Sequence, residues 1–346
     1  MIYILKDIQL ILDGFLILKF FINKSNLEVI WLMDKKKLRI LKMIIICILL
    51  IASCFIIKNY YINNNDDKVV VSIGTEEKTI SKKSNIKTEE GTIKVVNNFY
   101  CPELDNEKTI RIYLPYGYEK SNKKYPVIYM PDGQNLFDIK TAQYGKEWKM
   151  DETLDRLYTN GKTDGIILVG VDSLPSTRTS EYNIFSRISP ASPGKYEEEK
   201  GDRYAKFIVN TLKPYIDKNY RTLSDKENTA VIGSSYGAII SMYTGITYHD
   251  IFGMIGAFSF CDNVDAASTR EYLSKNLTSD NLKDTKIYFY SGTDDFAYQS
   301  TQIAYKIASD NGLTKIKYEE DNGSHDEISW ANKVEPCLLF FGMLKQ

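Results

Sequence analysis

The chain has 346 residues, and its 44 basic and 45 acidic side chains leave a net charge of −1. With 43% hydrophobic and 26% charged residues, it has globular composition, which excludes a mainly disordered or fibrous protein. Balanced charge supplies no basic field for nucleic acid, and the two histidines, His249 and His325, leave little room for a histidine-rich metal site.

The chain opens on an apolar-rich stretch, and a cleaner signal starts at Met33. Lys35, Lys36, Lys37, Arg39 and Lys42 precede the uncharged run 43–57, MIIICILLIASCFII. A basic flank before an apolar core is the pattern of an export signal or signal anchor. The run is short of the roughly 20 residues that span a bilayer, unless Arg39 and Lys42 snorkel to the headgroups. Ile51-Ala52-Ser53-Cys54 also reads as a lipobox. Uncleaved anchor, lipoprotein and buried core helix all remain open, and either of the first two places everything after Lys58 outside the cytoplasm, held at the membrane. Residues 1–58 are therefore expected to be a signal or anchor region and the polar stretch 59–90 a flexible linker. The remainder, 91–346, is long enough for one large core.

Of the five cysteines, Cys47, Cys54, Cys101, Cys261 and Cys337, none forms a CxxC pair, so neither a zinc knuckle nor a thioredoxin-type site is encoded. Neither a metal nor an organic cofactor is expected.

Within 91–346, apolar runs alternate with helical patterns. Strands are expected at 109–114, 125–130, 165–171, 229–233, 254–260 and 286–292, with a further strand-like stretch at 315–320. Helices are expected at 148–158, 203–220, after Tyr236, and at 297–312. Near-continuous apolar strands are those covered on both faces. The alternation predicts an α/β fold, a mostly parallel sheet flanked by helices. The long polar stretch 173–202 is a candidate functional loop.

Gly233-Ser234-Ser235-Tyr236-Gly237 matches GxSxG, with a strand pattern before it and a helical one after. That is the setting of a nucleophile elbow, in which Ser235 is exposed at a tight turn. A serine hydroxyl needs a base. His249 lies at the far end of the helix that Ser235 opens, roughly 18 Å away for about 12 residues, so His325, in the polar segment DNGSHDE, is the candidate base. The imidazole in turn needs an acid to fix its tautomer. Asp294 and Asp295 end a buried-looking strand on the rim expected for Ser235. The order Ser–Asp–His is that of α/β-hydrolases. The oxyanion requires backbone donors. Tyr236 N–H follows the nucleophile, and Gln134 N–H lies in the Pro131–Asn135 loop after an earlier strand.

PVIYMPDGQNLFD, GSSYG, SGTDD and GSHDEISW, in that order, resemble the esterase D and enterochelin-esterase branch of α/β-hydrolases, which includes feruloyl-esterase-like domains. The resemblance covers about 105–344. Its G-T-x-D and H-D-x-x-x-W patterns fall on Gly292–Asp295 and His325–Trp330, and so favour Asp295 as the acid. It implies a serine ester hydrolase working through an acyl-enzyme, on a small-molecule or glycan-linked ester such as an acyl- or feruloyl-sugar ester or a siderophore lactone. An acyltransferase using the same residues, and a non-catalytic surface-binding domain, are the alternatives. Arg178, in an R-x-x-E-Y run, is a candidate to orient substrate or to brace the loop in an ion pair. Trp148 is a candidate pocket-lining residue, with core packing as its alternative, and Trp330 is a further candidate substrate contact.

Overall fold

Successive residues of the central strands enter two different hydrophobic clusters. In β3 (Val127–Pro131) Val127 and Tyr129 join one cluster, while Ile128 and Met130 join the other. In β9 (Lys286–Asp294) Ile287 and Phe289 oppose Tyr288 and Tyr290 in the same way. Side chains of a strand alternate between faces, so the sheet carries a core on each side. The computed structural model describes residues 89–185, 187–188, 196–262 and 265–345. The expected anchor region 1–58, and the linker up to residue 88, lie outside them. Among the described residues no helix is long and apolar enough to cross a membrane.

The strands that flank β3 and β9 are β1 (Thr92–Cys101), β2 (Asn106–Leu114), β4 (Ile167–Val171), β7 (Thr229–Ser234), β8 (Met254–Phe258) and β10 (Ile316–Ser324). The eight form one sheet in the order β1-β2-β4-β3-β7-β8-β9-β10. The strands from β4 to β10 in that order run parallel, whereas β1 and β2 form an antiparallel edge. The fold is thus a mixed α/β sheet. The leading hairpin strand β1 has no counterpart in the sequence reading. Its residues are mostly exposed at the sheet edge, so they show no apolar period. A minor two-stranded ladder, β5 (Arg187–Ile188) with β6 (Tyr196–Glu197), lies within the 173–202 segment. Just before β1, Gly91 donates its N–H to Asp155 Oδ1 at 2.7 Å, an oxygen that also accepts from Tyr113 Oη of β2 at 2.7 Å.

Helix α1 (Met150–Thr159) packs on the face that holds Ile128, Met130 and Tyr288. The short α2 (Arg178–Tyr182) lies in the 173–202 segment. The helix expected over 203–220 is α3 (Gly201–Lys206), a π-helical stretch (Phe207–Leu212) and α4 (Lys213–Asn219). Pro214 enters the second position of α4, where it cannot donate to the preceding turn, and the chain widens there into the π form. Helix α5 (Tyr236–Thr247) follows β7, and α6 (Ala266–Asn276), α7 (Ser279–Leu282) and α8 (Tyr298–Asp310) precede β10. The chain closes with α9 (Glu327–Ala331) and α10 (Val334–Phe341), the latter packed on the α1 side. Cys101, Cys261 and Cys337 are buried and form no disulfide.

Candidate active site

Parallel strands end on a common edge, and six of them each hand one segment of the site to it. Asp132–Asn135 follows β3, Asp172 and Ser173 follow β4, and Ser235, Ser259, Asp295 and His325 stand at the ends of the neighbours β7, β8, β9 and β10.

Ser235 has φ 57° and ψ −126°, a conformation that costs a non-glycine residue on the order of 1–3 kcal/mol. Its N–H still donates to Phe258 O at 3.0 Å, so the turn is held to β8. The elbow needs Gly233, because a Cβ there would stand 2.3 Å from Gly237 O, where α5 crosses back over β7. A Cβ at Gly237 would meet Pro131 Cγ at 3.1 Å, so the first turn of α5, with Tyr236, lies against the β3 loop.

That loop turns at Asp132, which has φ 59°, and Gln134 sits in a short 3-10 helix, Gly133–Asn135. A polar network fixes it. Asp132 accepts two bonds from Arg178, Nε at 2.8 Å and Nη2 at 2.7 Å, and one from Ser173 Oγ at 2.6 Å. The Gln134 side chain donates to Ser173 Oγ at 3.0 Å and accepts from Ser173 N–H at 2.9 Å. Burial works against the Arg178 charge, but Asp132 outweighs it and holds the guanidinium protonated. The guanidinium also lies over the rings of Tyr182 and Tyr236. Of the two readings of Arg178, the ion pair is what the geometry displays. Glu181 of the same run forms a separate buried pair with Lys108 at 2.5 Å.

Asp295 is buried, whereas Asp294 is exposed. His325 Nδ1 lies 2.8 Å from Asp295 Oδ1, an oxygen that also accepts from Ala297 N–H at 2.7 Å. Asp295 Oδ2 accepts from Ser259 Oγ at 2.5 Å. Burial by itself would raise the carboxyl pKa, but the bonds from His325, Ser259 and Ala297 outweigh it, and the net shift is downward. His325 is immobilised from two sides. The Phe296 ring stacks on it at 4.1 Å between centroids, and Trp330 meets it edge-on at 5.2 Å. Trp330 Nε1 donates to Ser259 Oγ at 2.7 Å.

Trp148 and Trp330 are buried at 2% and 5% exposure. They stand 5.6 Å apart in the core beneath His325, where Trp148 also packs against Phe258. Both are thus placed as packing residues of this region. His249 lies in the turn after α5, at the opposite end of that helix from Ser235. Among the described residues no group of His, Cys, Asp and Glu is arranged to hold a metal ion.

Sequence reasoning missed Ser259. The run 254–260 reads as one continuous strand, but β8 ends at Phe258 and Ser259 turns to φ 49°. It also missed Phe296, for which no pattern exists.

The fold and this edge define an α/β esterase, and comparison with known proteins agrees. Residues 101–338 match the family described as putative esterase. A Bacillus subtilis protein, YjcH, described as uncharacterized, is 27% identical over 252 residues, covering 69% of this chain and 93% of its own. An endo-1,4-beta-xylanase/feruloyl esterase of Xylanibacter ruminicola is 28% identical over 165 residues, which are 46% of this chain but only 20% of that protein. Among solved structures, a ferulic acid esterase superposes with a TM-score of 0.59 at 21% identity, over 73% of this chain and 98% of its own. The enterobactin esterase of Shigella flexneri does so with a TM-score of 0.58 at 15% identity, over 72% and 58%. The chain belongs to the putative esterase family and is a carboxylic ester hydrolase by class.

Proposed function

We propose that the protein hydrolyses its ester through a Ser235–His325–Asp295 triad and an acyl-enzyme. The observation that carries this reading is the 2.8 Å bond between His325 and Asp295, on the strand-end edge that also bears the strained Ser235. Ser235 Oγ attacks the ester carbonyl carbon while His325 Nε2 takes its proton. Asp295, held ionised by its donors, fixes the Nδ1–H tautomer and stabilises the imidazolium. The tetrahedral oxyanion accepts from the N–H groups of Tyr236 and Gln134. His325 then protonates the departing alcohol and next activates the water that releases the acid. The Arg178–Asp132 pair stiffens the loop that carries Gln134.

For the substrate we favour an ester with an aromatic acyl group, a feruloyl-sugar ester or a catechol-bearing lactone. The names of the similar proteins support this, as does the largely exposed phenyl of Phe296 beside His325. Replacing Ser235 with Ala tests the triad. We expect kcat on such esters to fall at least about 10³-fold and covalent labelling by a fluorophosphonate to vanish; labelling that persists elsewhere overturns the assignment.

We further propose that residues 91–346 form the esterase domain, carried outside the membrane on the 43–57 segment and a 59–90 linker. The basic flank at 35–42 supports this topology. Protease added to intact cells should then remove the domain; protection until lysis overturns it.

A further inference from the structure

Ser259 follows β8, the strand between those that carry Ser235 and Asp295. It is wholly buried at φ 49°, and its N–H continues the sheet by donating to Tyr290 O at 2.6 Å. Its hydroxyl joins two partners. Trp330 Nε1 lies 2.7 Å from Oγ, and Oγ lies 2.5 Å from Asp295 Oδ2. An indole N–H only donates. The serine oxygen therefore accepts that proton, and its own single proton is left for the carboxylate. The direction of both bonds follows from the chemistry of the two side chains.

The consequence is geometric. Asp295 Oδ1 accepts from His325 and from Ala297 N–H, and Ser259 holds Oδ2. Anchors on both oxygens fix the carboxylate plane as well as its position. Trp330 closes the circuit, because its ring edge also meets the imidazole that the carboxylate orients. Its own position is set by packing against Trp148.

We propose that Ser259 and Trp330 are positioning residues, a hydrogen-bonded strut that sets the Asp295 carboxylate and, through it, the His325 imidazole. The proposal rests on the triad reading given above. Misplacement of a reacting group by about 1 Å costs about 10²-fold in rate, which is the scale expected when such a strut is cut.

The test uses the full-length chain with Ser259→Ala, Ser259→Gly, Trp330→Phe, the Ser259→Ala/Trp330→Phe double variant, and Ser235→Ala as control. Loss of the Ser259 donor should lower kcat about 10- to 100-fold with little change in KM. It should also raise the acidic limb of the kcat/KM profile, because a carboxylate with one donor fewer stabilises the imidazolium more strongly. The other charged or titratable groups facing this region, Tyr290, Asp321, Asp326, Glu327 and Lys146, are the same in every variant. The low-field proton resonance of His325 Nδ1–H, one of only two histidines, should shift in each Ser259 variant. Trp330→Phe should act in the same direction and more weakly, and the double variant should be no worse than Ser259→Ala alone, since both cut one strut. Ser259→Gly relieves the positive φ and keeps the test open if Ala proves unstable. An unmoved acidic limb and Nδ1 resonance, with only thermal stability lost, would mark simple packing and overturn the proposal, as would additive losses in the double variant. Activity surviving in Ser235→Ala would instead overturn the triad itself.

Discussion

Phe296 and His325 lie face to face, their ring centroids 4.1 Å apart and their planes inclined by 30°. Phe296 is 63% exposed although Asp295 and Ala297 on either side are buried. A large phenyl facing solvent adds little to folding stability, and its inner face covers the group assigned as general base. Contact with a bound acyl or alcohol group is the function that this position suits.

Phe296→Ala should therefore leave the melting temperature nearly unchanged. It should lower kcat/KM for aromatic acyl esters by about fivefold to tenfold, since an aromatic pair contributes about 0.5–1.5 kcal/mol beyond area burial. Short alkyl esters should lose less, through looser placement of His325 alone. Parallel kinetics on a feruloyl and an acetyl ester check this; equal losses on both would show that Phe296 only steadies the imidazole.

Glu327 gives a prediction with a definite sign. It is buried at the start of α9 and accepts from Asn135 Nδ2 at 3.2 Å, which ties the His325 segment to the oxyanion loop. Burial raises its pKa, and the charges of Asp132 and Asp326 add to the shift. A native pKa above the unfolded value means that the folded state holds the proton more tightly. Its contribution to stability is then present below about pH 4.3, the unfolded value, and declines as pH rises through the native one. Glu327→Gln cannot ionise and keeps an oxygen for Asn135. Its melting temperature relative to the parent should rise as pH climbs above about 4.3 and through the native value, and level off beyond it. Thermal melts across that range decide it, and a flat or falling difference would show that the ionised carboxylate is at ease where it lies.

How much of this was legible in the sequence follows from which constraints are local. The elbow was readable because a strand and helix that cross at Gly233 and Gly237 admit no Cβ at the first of them, so the glycines must appear beside Ser235. Five inner strands were readable because burial on both faces demands unbroken apolar runs. β1 was not, because an edge strand exposes most of its side chains and has no pattern to impose. Helix α6 was unmarked for a similar reason, since Leu273 is its one buried apolar residue. Ser259 and Trp330 were legible only as residues. Their bond spans 71 positions, and nothing adjacent in the chain records it. The Arg178 pair is likewise non-local, because the carboxylate that binds it lies 46 positions earlier, in a loop read for its backbone amides.

The adjacent acids at the end of β9 put the assignment to its sharpest test. Consecutive strand residues point to opposite faces, so Asp294 and Asp295 cannot both serve His325. Asp295 is buried with His325, Ser259 and Ala297 around it, whereas Asp294 is exposed. Asp295→Asn puts an amide where both oxygens now accept. At least one present donor must then lose its acceptor, and the imidazole is driven toward the wrong tautomer. In serine proteases the equivalent change costs about 10⁴-fold in kcat, and a loss of that order is expected here. Asp294→Asn should stay within about tenfold, or about 1.4 kcal/mol of barrier. Measuring kcat for both, with circular dichroism to show that each remains folded, separates them. A crippled Asp294→Asn beside a nearly normal Asp295→Asn would move the acid by one residue and take the Ser259–Trp330 strut with it, while leaving Ser235 and His325 in place.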